Sequence, residues 1–230
     1  MPLFLKTRQV DLVELMDKAD CDPKKLKNTY RQFSTINALL SQWKIVYKTI
    51  LRPLMHDAQQ VYTLLDIGFG GGDIPVALSG WAKKDGVKLK ITAIEMDSRS
   101  VDFVQELPEN PNIEYRHCNS SDLVRESKLF DFVISNHVIH HLDEVAFEAT
   151  LKDAKSLAKR LVVFNDIERS DLGYLLFNIF SRPLFRDSFI TEDGLTSIKR
   201  SYTKKELLKV VSSEWKVQRL FPFRLLLIHE

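Results

Sequence analysis

A chain of 230 residues with 44% hydrophobic and 28% charged residues suits one soluble globular domain with a substantial core. Its net charge of +2 is too small to mark a nucleic-acid binder, and no apolar run approaches the roughly 18 residues of a membrane span. Two distant cysteines, Cys21 and Cys118, and a start without a signal-peptide pattern fit a reduced, cytoplasmic setting.

Residues 7–18 predict a short amphipathic helix, with Val10, Val13 and Leu15 on the apolar side. Asp22-Pro23 opens a second helix, Asp as N-cap and Pro in the first turn. Its apolar positions run through Leu26, Tyr30, Phe33, Ile36, Leu40, Trp43 and Tyr47 until Arg52-Pro53 breaks it. The basic residues near its start (Lys24, Lys25, Lys27, Arg31) read as a solvated face. Residues 1–55 are therefore expected to form a helical cap ahead of the main domain, 56–230.

The run from Val61 to Ile67 reads as a fully buried strand. Gly68-Phe69-Gly70-Gly71-Gly72 follows, and then Ile74, Val76, Ala77, Leu78 and Trp81 recur at helical spacing. A strand, a glycine turn and a helix place free N–H groups and a positive dipole end at the loop. A dinucleotide loop wants G-x-G-x-x-G, but the third glycine position holds Asp73. The spacing acid-x-Gly-x-Gly-x-Gly is filled throughout, by Asp66, Gly68, Gly70 and Gly72. It resembles motif I of the class I S-adenosylmethionine-dependent methyltransferases. That resemblance implies that the glycines hold the methionine part of the cofactor, with Asp66 close to its amino group.

A second strand over Val87–Ile94 leads to Glu95 and Met96, and Glu95 comes 29 residues after Asp66 (95 − 66). Both dinucleotide and methyltransferase folds place an acid here, where a carboxylate accepts from ribose hydroxyls. A helix over 99–107 is followed by a third strand, Ile113–His117, and by Cys118-Asn119-Ser120. Class I methyltransferases often carry Gly-Asp-Ala at this place; Asn119 keeps a carbonyl oxygen to accept from an adenine amino group, with Ser120 beside it and Asp122 in reserve.

Phe130 to Asn136 is a fourth apolar strand, ending in His137-Val138-Ile139-His140-His141-Leu142. This resembles the family's motif IV with its V-[LI]-H-H-L continuation, and implies that Asn136 faces the cofactor. No carboxylate or cysteine stands at ligand spacing from the histidines, so no metal is expected; packing and helix capping suit His140 and His141 better. A fifth strand, Leu161–Phe164, ends at Asn165-Asp166, and an aromatic-rich helix carries Tyr174, Phe177 and Phe180. Residues 170–200 read as an insertion on the acceptor side. Thr203 to Glu206 is a capping box, and Glu214–Leu220 with Pro222–His229 closes the chain as a strand pair.

The stretch Tyr30 to Trp43 also resembles the lead-in of ubiquinone/menaquinone-biosynthesis methyltransferases, and 165–202 resembles polyketide-associated methyltransferases more loosely. Together the resemblances imply a doubly wound α/β sheet of order 3-2-1-4-5-7-6, the seventh strand antiparallel, under an N-terminal helical cap. The implied activity is methyl transfer from S-adenosylmethionine to a small apolar acceptor, most simply an oxygen of a phenolic, polyketide-like or quinone-like compound. His137 is the candidate catalytic base, with His141 or Asp166 behind it, and Tyr30, Phe33, His141, Tyr174 and Phe177 are candidates for the acceptor pocket. An NAD(P)-dependent oxidoreductase is the rival reading, disfavoured by Asp66 and Asp73. A nucleic-acid or protein methyltransferase is another, disfavoured because Asn136-His137-Val138-Ile139 is no Asn-Pro-Pro-Tyr motif and no basic stripe is present.

Overall fold

The apolar run Val61–Ile67 is β1, the central strand of a seven-stranded sheet in a computed structural model that describes residues 2–230. It pairs in parallel with β2 (Lys88–Glu95) on one side and β4 (Phe130–Asn136) on the other. Beyond β2 lies β3 (Ile113–His117), and beyond β4 lies β5 (Ala158–Ile167). The last two strands, β6 (Lys216–Leu220) and β7 (Arg224–His229), form an antiparallel pair, and β7 also runs antiparallel to β5. The order is β3-β2-β1-β4-β5-β7-β6, as expected. Strand order reverses between β1 and β4, and open α/β sheets bind ligands outside the carboxyl ends of strands at such a point.

The middle strands are apolar almost without alternation because both sheet faces are covered. Side chains of Leu64, Phe132, Ile134 and Val163 enter one core, and Leu65, Val133 and Val162 the other, as the two-residue period of a strand requires. The first core is closed by α3 (Asp73–Lys84) and by Trp43, Tyr47 and Leu51. The second is closed by α6 (Glu144–Leu157) and α9 (Lys204–Val210). The capping box of α9 is present as read: Thr203 accepts from Glu206 N, and Glu206 accepts in return from Thr203 N.

The N-terminal region departs from expectation in two places. Residues 7–18 form turns, not a helix, because tertiary partners satisfy their peptide groups. Leu15 N and Met16 N donate to the Asp193 carboxylate at 2.6 and 3.0 Å, and Arg200 Nη1 donates to Leu12 O at 2.6 Å. Arg169 holds Leu5 O at 2.9 Å in the same way. A segment whose backbone is paired from outside has no need of helical bonds. The single long helix is also divided: α1 (Pro23–Leu40) ends at Ser41, Gln42 takes φ +58°, and α2 (Trp43–Val46) restarts before a π-turn at 47–51 and a short 3-10 turn at 52–54.

The remaining helices lie on the sheet's flanks: α4 (Ser98–Gln105), α5 (Ser120–Arg125), α7 (Asp171–Leu184) and α8 (Ile190–Arg200). The fifth strand runs longer than its apolar run suggests and carries Asn165 and Asp166 inside it, both buried. Among the described residues no helix is long and apolar enough to cross a membrane.

Candidate functional site

At the carboxyl end of β1 the chain turns through Gly68 (φ +78°), Gly70 (φ +52°) and Gly72 (φ +75°). A Cβ at Gly68 would stand 2.5 Å from Val138 Cγ2, and one at Gly72 2.9 Å from Tyr115 Oη. Left-handed backbone and this crowding together demand glycine. Gly72 is the N-cap of α3 and offers no side chain to the helix's first N–H groups, so these stay turned toward the loop.

Beneath the loop sits Asp66, 1% exposed. Its Oδ1 is buried and has no hydrogen-bond partner. Burial pushes its pKa well above the ordinary carboxylate value, and the nearby Asp73 and Glu95 push the same way. Asp73 is itself raised to about 6 by burial, against which the Asn37 amide and backbone N–H groups work. A surplus of buried carboxylate with an orphaned oxygen fits a cationic group, as the ammonium of a methionine moiety is. Glu95, at the end of β2, accepts from Gly70 N at 3.1 Å and from Met96 N at 2.8 Å, so the second acid borders the same loop. The Met96 side chain is 63% exposed.

One face of α1 covers this site. Phe33 lies against Gly70 and Gly71, and Asn37, one turn on, reaches both Asp73 (3.0 Å) and Asn136 Nδ2 (3.4 Å). Tyr30 does not line an open pocket, as had been expected of it. It is 4% exposed, packs on Phe33 and Phe103, and its hydroxyl points to Asp97 at 3.4 Å. Its aromatic ring is core for the reason any large ring on an inward helix face is.

The adenine expectation for Asn119 meets a competing use. Asn119 Oδ1 accepts from Asp122 N at 2.9 Å and from Ser121 Oγ at 2.7 Å, while Asp122 accepts from Asn119 N. The side chain is the N-cap of α5 in a reciprocal capping box, and both lone pairs of its oxygen are engaged. Ser120 Oγ donates to Asp153 at 2.7 Å.

At the end of β4 a polar network replaces the free base expected. Asn136 Oδ1 accepts from Trp43 Nε1 (2.9 Å) and from Arg224 Nη2 (3.2 Å). Arg224 also donates from Nε to Asn165 Oδ1 at 2.9 Å and from Nη1 to His137 Nε2 at 2.8 Å. A guanidinium only donates, so His137 accepts at Nε2, is neutral, and carries its proton on Nδ1. Burial, and then the Arg224 charge, hold its pKa well below the usual imidazole value. In this geometry His137 is a hydrogen-bond donor rather than a base. Trp43, Asn37, Asn165 and Arg224 were not anticipated as site residues, yet a lone arginine opening the run Leu225-Leu226-Leu227-Ile228 was a legible signal of a buried cation.

Farther along, His140 and His141 lie in a turn rather than a helix. His140 Nδ1 is 2.7 Å from Asp166 Oδ1, and His141 stands between Glu14 and Asp17. Tyr174 packs edge-on against Phe4 under the Lys199 ammonium, and Phe177 lies against Gly194. These two aromatics therefore hold α7 to the N-terminal segment and to α8.

Residues 64–160, from β1 into β5, match the profile of a family described as Methyltransferase domain. Over this stretch the chain carries a methyltransferase domain. Solved structures similar to this chain in fold include the CurJ carbon methyltransferase, at 11% identity over 93% of this chain and 62% of that one, with a TM-score of 0.63. The plantazolicin methyltransferase BpumL, in complex with a monoazolic desmethylPZN analog and SAH, is 11% identical over 90% and 88% of the two chains, TM-score 0.56. A SAM dependent methyltransferase from Aquifex aeolicus is 19% identical over 90% and 97%, TM-score 0.53. At such identities the likeness is one of fold. No curated protein matches this chain.

Proposed function

We propose that this methyltransferase transfers the methyl group of S-adenosylmethionine to an oxygen of a small, largely apolar phenolic, polyketide-like or quinone-like acceptor. The observation that carries the reading is the orphaned Asp66 Oδ1 under a loop of three left-handed glycines. Gly68, Gly70, Gly72 and Asp66 would hold the methionine part of the cofactor, Glu95 and Met96 its ribose side, with Ser120 and Asn136 bordering it. When bound, the cofactor supplies an electrophilic methyl on a sulfonium.

The protein's own part is alignment and charge. Asn37 and Trp43 fix Asn136, and Asn136 with Asn165 fixes Arg224. Arg224 in turn fixes the His137 tautomer. An acceptor phenol meeting His137 Nδ1–H, with the buried guanidinium behind it, would ionise more readily because its phenolate is stabilised. Its proton would leave to solvent. Phe33 and His141 stay on the acceptor side in this reading, and orientation supplies the larger share of the rate. The test is incubation of the full chain with methyl-labelled S-adenosylmethionine and a set of alkylphenols and hydroxyquinones, with products read by mass spectrometry and NMR. Methyl ethers are expected. Methyl transfer to carbon alone, or none to any acceptor by protein that binds S-adenosylhomocysteine, would overturn it.

A further inference from the structure

We infer that Glu14, His140 and His141 form a binding site for a divalent metal ion of the zinc class. One ligand atom from each lies within 4.8 Å of the others. Glu14 Oε1 stands 3.4 Å from His140 Nε2 and 3.7 Å from His141 Nε2. Tetrahedral ligands at zinc bond lengths of about 2.0–2.1 Å are separated by about 3.4 Å. The two separations from Glu14 are therefore already close to those of a shared ion.

The surroundings suit a metal ligand set. His140 is 1% exposed, and its Nε2 has no hydrogen-bond partner. Its other nitrogen faces Asp166 Oδ1 at 2.7 Å, and Asp166 is fixed by the backbone N–H groups of His140 and Ile167. A carboxylate behind the imidazole orients the ring and raises its basicity toward a metal. Glu14 is buried and anchored by Ser197 Oγ at 2.6 Å. His141, with a side chain 30% exposed, is the open side through which an ion enters.

The local charge is also favourable. Asp17 faces His141 Nδ1 at 3.4 Å. Asp193 is raised to about 7, first by burial, with Glu14 and Asp17 adding to it. Against these stand Arg200, whose guanidinium donates to the carbonyls of His140, His141 and Leu12, and the neutral His137 ring. Two imidazoles and a carboxylate select zinc, cobalt or nickel over magnesium or calcium. Glu14 lies 126 residues before His140 (140 − 14), which is why local spacing offered no carboxylate.

The site is tested by metal binding alone, a readout independent of methyl transfer although that reading places His141 on the acceptor side. The full chain, stripped with chelator, is titrated with zinc alone by calorimetry and with cobalt by visible absorption. One saturable equivalent per chain is expected, weakened at least tenfold in Glu14→Gln and in His141→Gln and unchanged in the exposed His56→Gln. His141→Gln decides the matter if Glu14→Gln fails to fold. Absence of saturable binding by folded protein, or binding that neither variant weakens, would overturn the site and leave His140 as an imidazolium bridging two carboxylates.

Discussion

Arg224 Nη1 donates to His137 Nε2 across 2.8 Å, joining the antiparallel last strand to the turn after β4. The pair fixes which nitrogen of His137 carries the proton, and so what His137 is able to do. With a phenol acceptor, turnover should climb as pH approaches the phenol's own pKa, about 10 for an unactivated ring. No separate limb near the ordinary histidine value is expected. His137→Ala should lower turnover and move this rise to higher pH, with S-adenosylhomocysteine affinity within about twofold of the native value. A native profile with a limb near pH 6 that disappears in the variant would restore His137 as a base.

His140 gives the stability of the metal-free protein a definite slope on the alkaline side. Its pKa is raised to about 9 by Asp166 and Glu14 over the opposing burial. A histidine raised in the folded state contributes stability that is full below its unfolded value of about 6.5 and is lost as pH rises through the folded value. The buried Asp66, also raised, acts with the same sign. The melting midpoint should therefore fall between about pH 7 and 9, and the His140 Cε1–H resonance should remain that of an imidazolium at neutral pH. A midpoint that rises over this interval would contradict the assignment.

Asp66→Asn separates binding from stability. Removing a buried carboxylate without a partner should raise the melting midpoint of the ligand-free protein. It should weaken S-adenosylhomocysteine by about 1.5–3 kcal/mol, about tenfold or more, the range for hydrogen bonds to charged groups. Calorimetric titration reads the second effect, and unchanged affinity would move the amino-group contact elsewhere.

Gly68→Ala should destabilise the fold by about 2–5 kcal/mol. A left-handed non-glycine residue costs about 1–2 kcal/mol, and overpacking against the stiff Val138 side chain adds about 1–3. Urea unfolding measures the sum. A loss under about 1 kcal/mol would mean that Val138 yields freely.

Asn119→Ala should cost about 1 kcal/mol of stability through the lost cap of α5. Because the capping box already occupies its oxygen, S-adenosylhomocysteine and its inosine analogue should keep the same ratio of affinities. A ratio that narrows in the variant would return Asn119 to the adenine.

The glycine turn and the capping box at Thr203 were legible in the sequence because each is a local matter, whereas the sheet order followed from the family resemblance that the motifs carry. Apolar runs, positive-φ turns and N-caps are set by residues within a few positions of one another. The sequence likewise singled out Asp66 and Glu95, since chain spacing alone places acids at the ends of neighbouring parallel strands. Tertiary structure decided the rest. Whether residues 7–18 form a helix depended on Asp193 and Arg200, which reach their backbone from α8. Whether His137 is a base depended on Arg224, 87 residues on (224 − 137). Asn119 was lost to a neighbour's backbone, and His140 gained Glu14 from the N-terminal segment. The chemistry of a polar side chain is set by the groups within about 3–4 Å of it, and in these cases only the packed chain brought them there.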